Sequence, residues 1–122
     1  MSLAHHDITE QIIGAAFEVH RVLGYGFLEK VYQRAMQVEL RTRGVDSDIE
    51  SSISVQYKNV VVGEYRADLF VEGVVLVELK VAKEYNPNDE PQLLNELRAT
   101  GIKTGLLINF GQRKVEFKRL VY

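Results

Sequence analysis

The chain has 122 residues, 46% of them hydrophobic, with no cysteine and a formal charge of -2. That is the size of one domain with a real core, so a single domain over residues 1–122 is expected. The charge balance excludes broad electrostatic adsorption to nucleic acid but leaves room for a local basic groove. Without thiols there can be no disulfide, thiolate zinc site or cysteine nucleophile, and any metal must be held by oxygen or imidazole.

"MSL" at the start is set aside as an expression remnant, and residues 1–7 are expected to be flexible. His5, His6 and Asp7 resemble a metal cluster, but at a terminus that pattern carries little weight. Ile8, Ile12, Ala15, Ala16, Val19, Val22 and Leu23 recur at helical spacing and predict an amphipathic helix over 8–23. His20 lies on its flank, where a structural role is expected. "GYG" at 24–26 ends it, and Leu28, Val31, Tyr32, Ala35 and Val38 predict a second helix running to Gly44. No segment is apolar enough to span a bilayer and no basic start precedes an apolar core, so a cytoplasmic protein is expected.

After a polar turn, "DSDIESS", three valine-rich runs predict a meander: "ISVQYK", "VVVGEYRADLFV" and "VVLVELKV". "NPNDEP" and "QLLNELRAT" with Gly101 behind it predict a short helix, "TGLLINF" a buried strand, and "KVEFKRLVY" a last strand.

The third run poses the chemical question, because Glu78 and Lys80 interrupt what otherwise reads as a sealed strand. Burying ions costs several kcal/mol apiece even after relaxation, roughly, so a partner is required. Period-two geometry points both into one space. In the second run Glu64, Arg66 and Asp68 share a face. A three-residue turn with Gly73 left-handed would bring Asp68 and Glu78 to the same sheet face, within reach of one divalent cation. Their carboxylates, with the Leu79 carbonyl, suit a hard cation that keeps several waters, magnesium or else manganese. Lys80 would then stabilise the attacking oxygen or the phosphorus under attack. A purely structural reading has Lys80 pairing with Asp68 or Glu78, and Arg66 neutralising Glu78 across the strands.

Asp68, a hairpin, then Glu78-Leu79-Lys80 resembles the PD-(D/E)XK nuclease signature. "GFLEKVY" at 26–32 is similar to the G-x-x-E-x-x-Y motif of a family of small bacterial proteins in that superfamily, and "ITEQIIGAAFEVHRVLG", "VVVGEYRADLFVEG", "VELK", "QLLNELRATG" and "GLLINFG" follow in the same order. The resemblance implies an α/β fold, a restriction-endonuclease-like core of helix, three strands, helix and strand, with an added N-terminal helix and C-terminal strand. It implies a magnesium-dependent nuclease acting on DNA or RNA, with Asp68, Glu78 and Lys80 catalytic and Glu29 and Gln92 in support. Glu96 departs from the family, which favours tyrosine there.

Arg41, Arg43, Lys114 and Lys118 are the candidate nucleic-acid contacts, and a two-fold homodimer is expected so that two clusters share a groove. Two competing readings keep the fold and change the role: a non-catalytic module that binds nucleic acid or protein, and an enzyme for a small phosphorylated substrate.

Overall fold

The computed structural model describes residues 5–122. Helices α1 (His6–Leu23) and α2 (Glu29–Thr42) precede five strands, β1 (Ser47–Ile49), β2 (Ser52–Tyr57), β3 (Val60–Arg66), β4 (Leu69–Val71) and β5 (Val75–Lys80). Helix α3 (Asp89–Thr100) and strands β6 (Thr104–Asn109) and β7 (Glu116–Val121) complete the chain. Residues 1–4 of the segment expected to be flexible lie outside the described residues. His6 and Asp7 form the first turn of α1, so the helix starts earlier than its apolar stripe suggests.

The main sheet runs β1-β4-β5-β6-β7, and β2 and β3 form a separate two-stranded sheet. β5 and β6 are parallel, joined by α3, while the other pairs are antiparallel. One face of the sheet, through Leu69, Val77, Leu79, Leu106 and Ile108, packs on Ile12, Ala16, Tyr32, Met36 and Leu40 of α1 and α2. The other, through Leu76, Leu107 and Leu120, packs on Leu93 and Leu97 of α3. A side chain at Gly105 would stand 3.2–3.3 Å from both leucines, so the absent Cβ sets how closely α3 lies on β6.

The expected core order holds, but its meander is composed differently. β1, β4 and β5 are its three strands, and the β2–β3 hairpin is an excursion between the first two. "DSDIESS" is therefore not merely a turn, since Ser47–Ile49 pairs with β4. "VVVGEYRADLFV" is one run of strand broken at Ala67–Asp68. Its partner run breaks opposite, at Glu50–Ser51, where Glu50 takes the left-handed φ of 53°. Two long bonds bridge the bend, Glu50 N–H to the Asp68 carbonyl and Ala67 N–H to the Ser51 carbonyl, both 3.3 Å. Across the bend residues of like parity change layers: Tyr65 and Ala67 belong with α3, whereas Leu69 and Val71 belong with α1 and α2.

The loop between α1 and α2 is fastened by Tyr32. Its buried ring stacks on Phe110 with centroids 4.6 Å apart. Its hydroxyl donates to the Gly24 carbonyl at 2.7 Å and accepts the Phe27 N–H at 3.4 Å. Tyr32→Phe keeps the stack and unties the loop. Chemical denaturation should show a loss of about 1–3 kcal/mol, the usual result of orphaning a partly buried polar group.

Candidate active site

The β4–β5 hairpin sets the site. Val71 pairs with Val75, leaving Glu72, Gly73 and Val74 as a three-residue connection in which Glu72 and Gly73 are left-handed. That odd count puts Asp68, one step beyond the Leu69–Val77 pair, opposite Glu78. Asp68 Oδ2 accepts the Leu79 N–H at 2.8 Å, and Gln33 Nε2 donates to the Asp68 carbonyl at 2.8 Å. Gln33 lies one turn after Glu29 on the same stripe of α2, so the clamp that fixes Asp68 also brings Glu29 to it.

Carboxylates consequently crowd one end of the sheet. Burial first, then the Asp68 charge, pushes Glu78 up to about 8. Burial raises Glu29 as well, with Asp68 adding to the shift and Lys80 opposing it. Glu96, on α3, is raised by burial against the opposing pull of hydrogen bonds from Tyr65 and Gln92. Tyr65 donates its hydroxyl proton to Glu78 Oε1, and burial together with that acceptor drives the phenol far above its ordinary range.

Lys80 reaches toward α3, where its Nζ is 4.0 Å from Asp89 Oδ1. Gln92, Glu96, Glu78 and Lys80 border one small cleft with Leu93 and Leu107. Asp68, Glu78, Lys80, Glu29 and Gln92 are thus neighbours in space.

The basic candidates divide. Arg41 and Arg43 lie near the far end of α2, roughly 18 Å along the axis from Glu29. Arg43 is held by Glu39 at 2.9 Å and by Gln11 at 3.3 Å, above Gly14. Lys118 is closer, since it pairs with Leu107, itself opposite Glu78. Two strand spacings place it roughly 10 Å away. Lys114 is in the exposed turn before β7. His20 has a structural place, its Nε2 2.7 Å from the Gln112 carbonyl and its ring stacked on Phe110. His6 Nε2 lies 3.6 Å from Glu10.

Three groups escape the sequence reading: Tyr65, Gln33 and Asp89. Continuous period-two counting assigns Arg66, not Tyr65, to the side of Glu78, and the bend reverses this. Arg66 is exposed, and among the described residues no ion pair joins it to Glu78. Asp89 carries no signal beyond its place in "NPNDEP", and Gln33 none beyond its spacing from Glu29.

The donor set suits a hard divalent cation. Asp68 keeps one carboxylate oxygen beyond its bond to Leu79, Glu78 is uncomfortable without a counter-charge, and Glu96 Oε2 is buried with no hydrogen-bond partner among the described residues. No three His, Asp or Glu side chains among the described residues already form a metal cage. One or two carboxylates with retained waters is the usual provision for magnesium.

A sequence model described as the PD-(D/E)XK nuclease superfamily matches residues 6–120. No curated protein matches the chain. Among solved structures, the crystal structure of SSO0001 is similar, with a TM-score of 0.55 and 16% identity; the match covers 96% of this chain and 58% of that one. This chain therefore spans less than two thirds of SSO0001. An alkaline exonuclease, LHK-Exo from Laribacter hongkongensis, has a TM-score of 0.49 and 12% identity over 93% of this chain and 81% of its own.

The acid cluster makes stability depend on pH. Between the ordinary value of 4.5 and about 8 for Glu78, the unfolded chain releases a proton that the native state retains. This contribution to stability should fall as pH rises across that window and level off above it. Calorimetry of metal-free Glu78→Gln should show the decline removed and a higher Tm than the wild type at about pH 9.

Proposed function

Because the chain belongs to the PD-(D/E)XK nuclease superfamily, we propose that it hydrolyses phosphodiester bonds in DNA or RNA at Asp68, Glu78 and Lys80, with magnesium as cofactor and manganese as a substitute. The observation that carries this reading is the convergence of Asp68, Glu78 and Lys80 through the three-residue turn of one hairpin. Asp68, Glu78 and the Leu79 carbonyl would hold the cation, with Glu29 joined through water. The cation supplies charge neutralisation at the phosphate and a more acidic bound water.

The remaining work belongs to the chain. Gln33 and the Leu79 amide keep Asp68 from turning away. Tyr65 fixes the rotamer of Glu78, and because a carboxylate ligates in its ionised form, Glu78 would hold a cation more tightly as pH rises toward about 8. Lys80, steadied by Asp89, meets the charge that builds on the non-bridging oxygens. Gln92 and Glu96 support the wall behind it.

This reading also takes Gly26, Glu29 and Tyr32 as the G-x-x-E-x-x-Y motif of that family and the chain as a single domain. The same reading makes it a cytoplasmic protein; among the described residues no helix is long and apolar enough to cross a membrane. One cluster per chain cuts one strand at a time, so cutting a duplex takes a homodimer or two sequential nicks. Light scattering at micromolar concentration distinguishes these assemblies.

Digestion of plasmid, linear duplex, single strands and RNA with magnesium or manganese tests the activity. Lys80→Ala should lower the rate by about 100-fold or more, the usual effect of removing one group that stabilises transition-state charge. Magnesium at about 100 times its Kd should stabilise the wild type by roughly 2.7 kcal/mol. Asp68→Asn should abolish most of that response. Binding of nucleic acid without cleavage in any of these conditions would turn the reading to the non-catalytic module.

A further inference from the structure

An open cleft of about 470 Å³ lies beside the proposed active site. That volume is within the roughly 300–1,000 Å³ usual for small-ligand sites. One wall is the loop between α1 and α2, where Tyr25 and Phe27 are 55% and 46% exposed. The facing wall is made by Val81 and Lys83 after β5 and by Gln112 and Arg113 after β6. Both walls run into the acid cluster: Phe27 is two residues before Glu29, and Val81 follows Lys80.

The charge of the cleft is opposite to that of the cluster. Lys83 and Arg113 line it, no carboxylate does, and neither cation enters an ion pair among the described residues. The walls are also braced. Gln112 Nε2 donates to the Lys83 carbonyl at 2.7 Å, and the Asn109 amide bonds both the N–H and the carbonyl of Ala82 at 3.0 Å. Tyr32 holds the aromatic loop from beneath.

Exposed rings, unpaired cations and a fixed backbone make a stacking platform with a phosphate seat. A base within a duplex already has both faces covered by its neighbours, so it cannot offer one to Tyr25. Resting on the hydrolytic reading above, we propose that the cleft binds an unpaired nucleotide next to the scissile phosphate. Its base lies against Tyr25 and Phe27 and its phosphate on Lys83 and Arg113. The substrate class is then single-stranded nucleic acid, or a duplex with a frayed or overhanging end.

Fluorescence anisotropy with a labelled oligothymidylate and a blunt hairpin duplex tests this, using calcium and the Lys80→Ala background to prevent turnover. The single strand should bind more tightly than the duplex. Tyr25→Ala should weaken single-strand binding by about tenfold, Tyr25→Phe should restore it, and joint Lys83→Ala and Arg113→Ala should reduce both affinity and its salt dependence. Equal affinity for strand and duplex overturns the proposal, as does an unchanged affinity in Tyr25→Ala, or poly-glutamate displacing the oligonucleotide at equal charge. Cleavage that requires Lys80 but ignores Tyr25 removes the cleft and leaves the nuclease standing. Tyr25-dependent single-strand binding without cleavage by the wild type retains the cleft and removes the hydrolytic reading.

Discussion

The bend at Ala67–Asp68 is the constraint on which the rest of the site depends. Without it, a straight strand would carry Tyr65 to the α1 and α2 side, and Glu78 would face the acids with no hydroxyl to orient it. With it, the chain turns between two layers in two residues, so a phenol from one sheet and a carboxylate from the other address the same glutamate. Bent and irregular strand segments concentrate next to active sites because they aim side chains where a regular ladder cannot. The backbone strain is modest, confined to the left-handed Glu50 and two bonds of 3.3 Å.

Around that bend the cluster is held by its surroundings rather than by mutual attraction. Glu29, Asp68, Glu78 and Glu96 crowd together, and the cation that opposes their charge, Lys80, is shared with Asp89. What keeps them together is packing on both faces of the sheet and the neutral clamps from Gln33, Tyr65 and the Leu79 amide. This division of labour is common where function requires unfavourable local electrostatics: the apolar core stabilises the fold while the site stores a charge imbalance for a ligand to relieve.

Much of this was legible in the residues. The parity argument put Asp68 and Glu78 on one sheet face given a three-residue turn at Gly73, because side-chain direction in a hairpin follows from a count of turn residues. The helices were legible from their stripes, and α3 from its glycine stop. The composition of the meander was not, because nothing in "VVVGEYRADLFV" marks where it stops pairing with β2 and starts pairing with β1. That division is decided by tertiary packing of Ala67 and Leu69 into different layers. That Arg41 and Arg43 lie roughly 18 Å along the axis from Glu29 was legible too, since distance along a helix follows from the residue count. Tyr25 and Lys83, far apart in the chain, gave no signal until the loop and strand ends met.

The three-residue turn Glu72–Gly73–Val74 has a kinetic meaning as well. It makes the pairing of Asp68 with Glu78 a local event, closed by a short loop, whereas β5 can meet β6 only after the α3 crossover is laid down. Local closures form early and non-local parallel pairings late. In the order those rates favour, the two acids meet in the hairpin while water still screens their repulsion, and burial follows with the docking of α2 and α3. On that order the electrostatic cost of the cluster arises only once the core that supports it is in place.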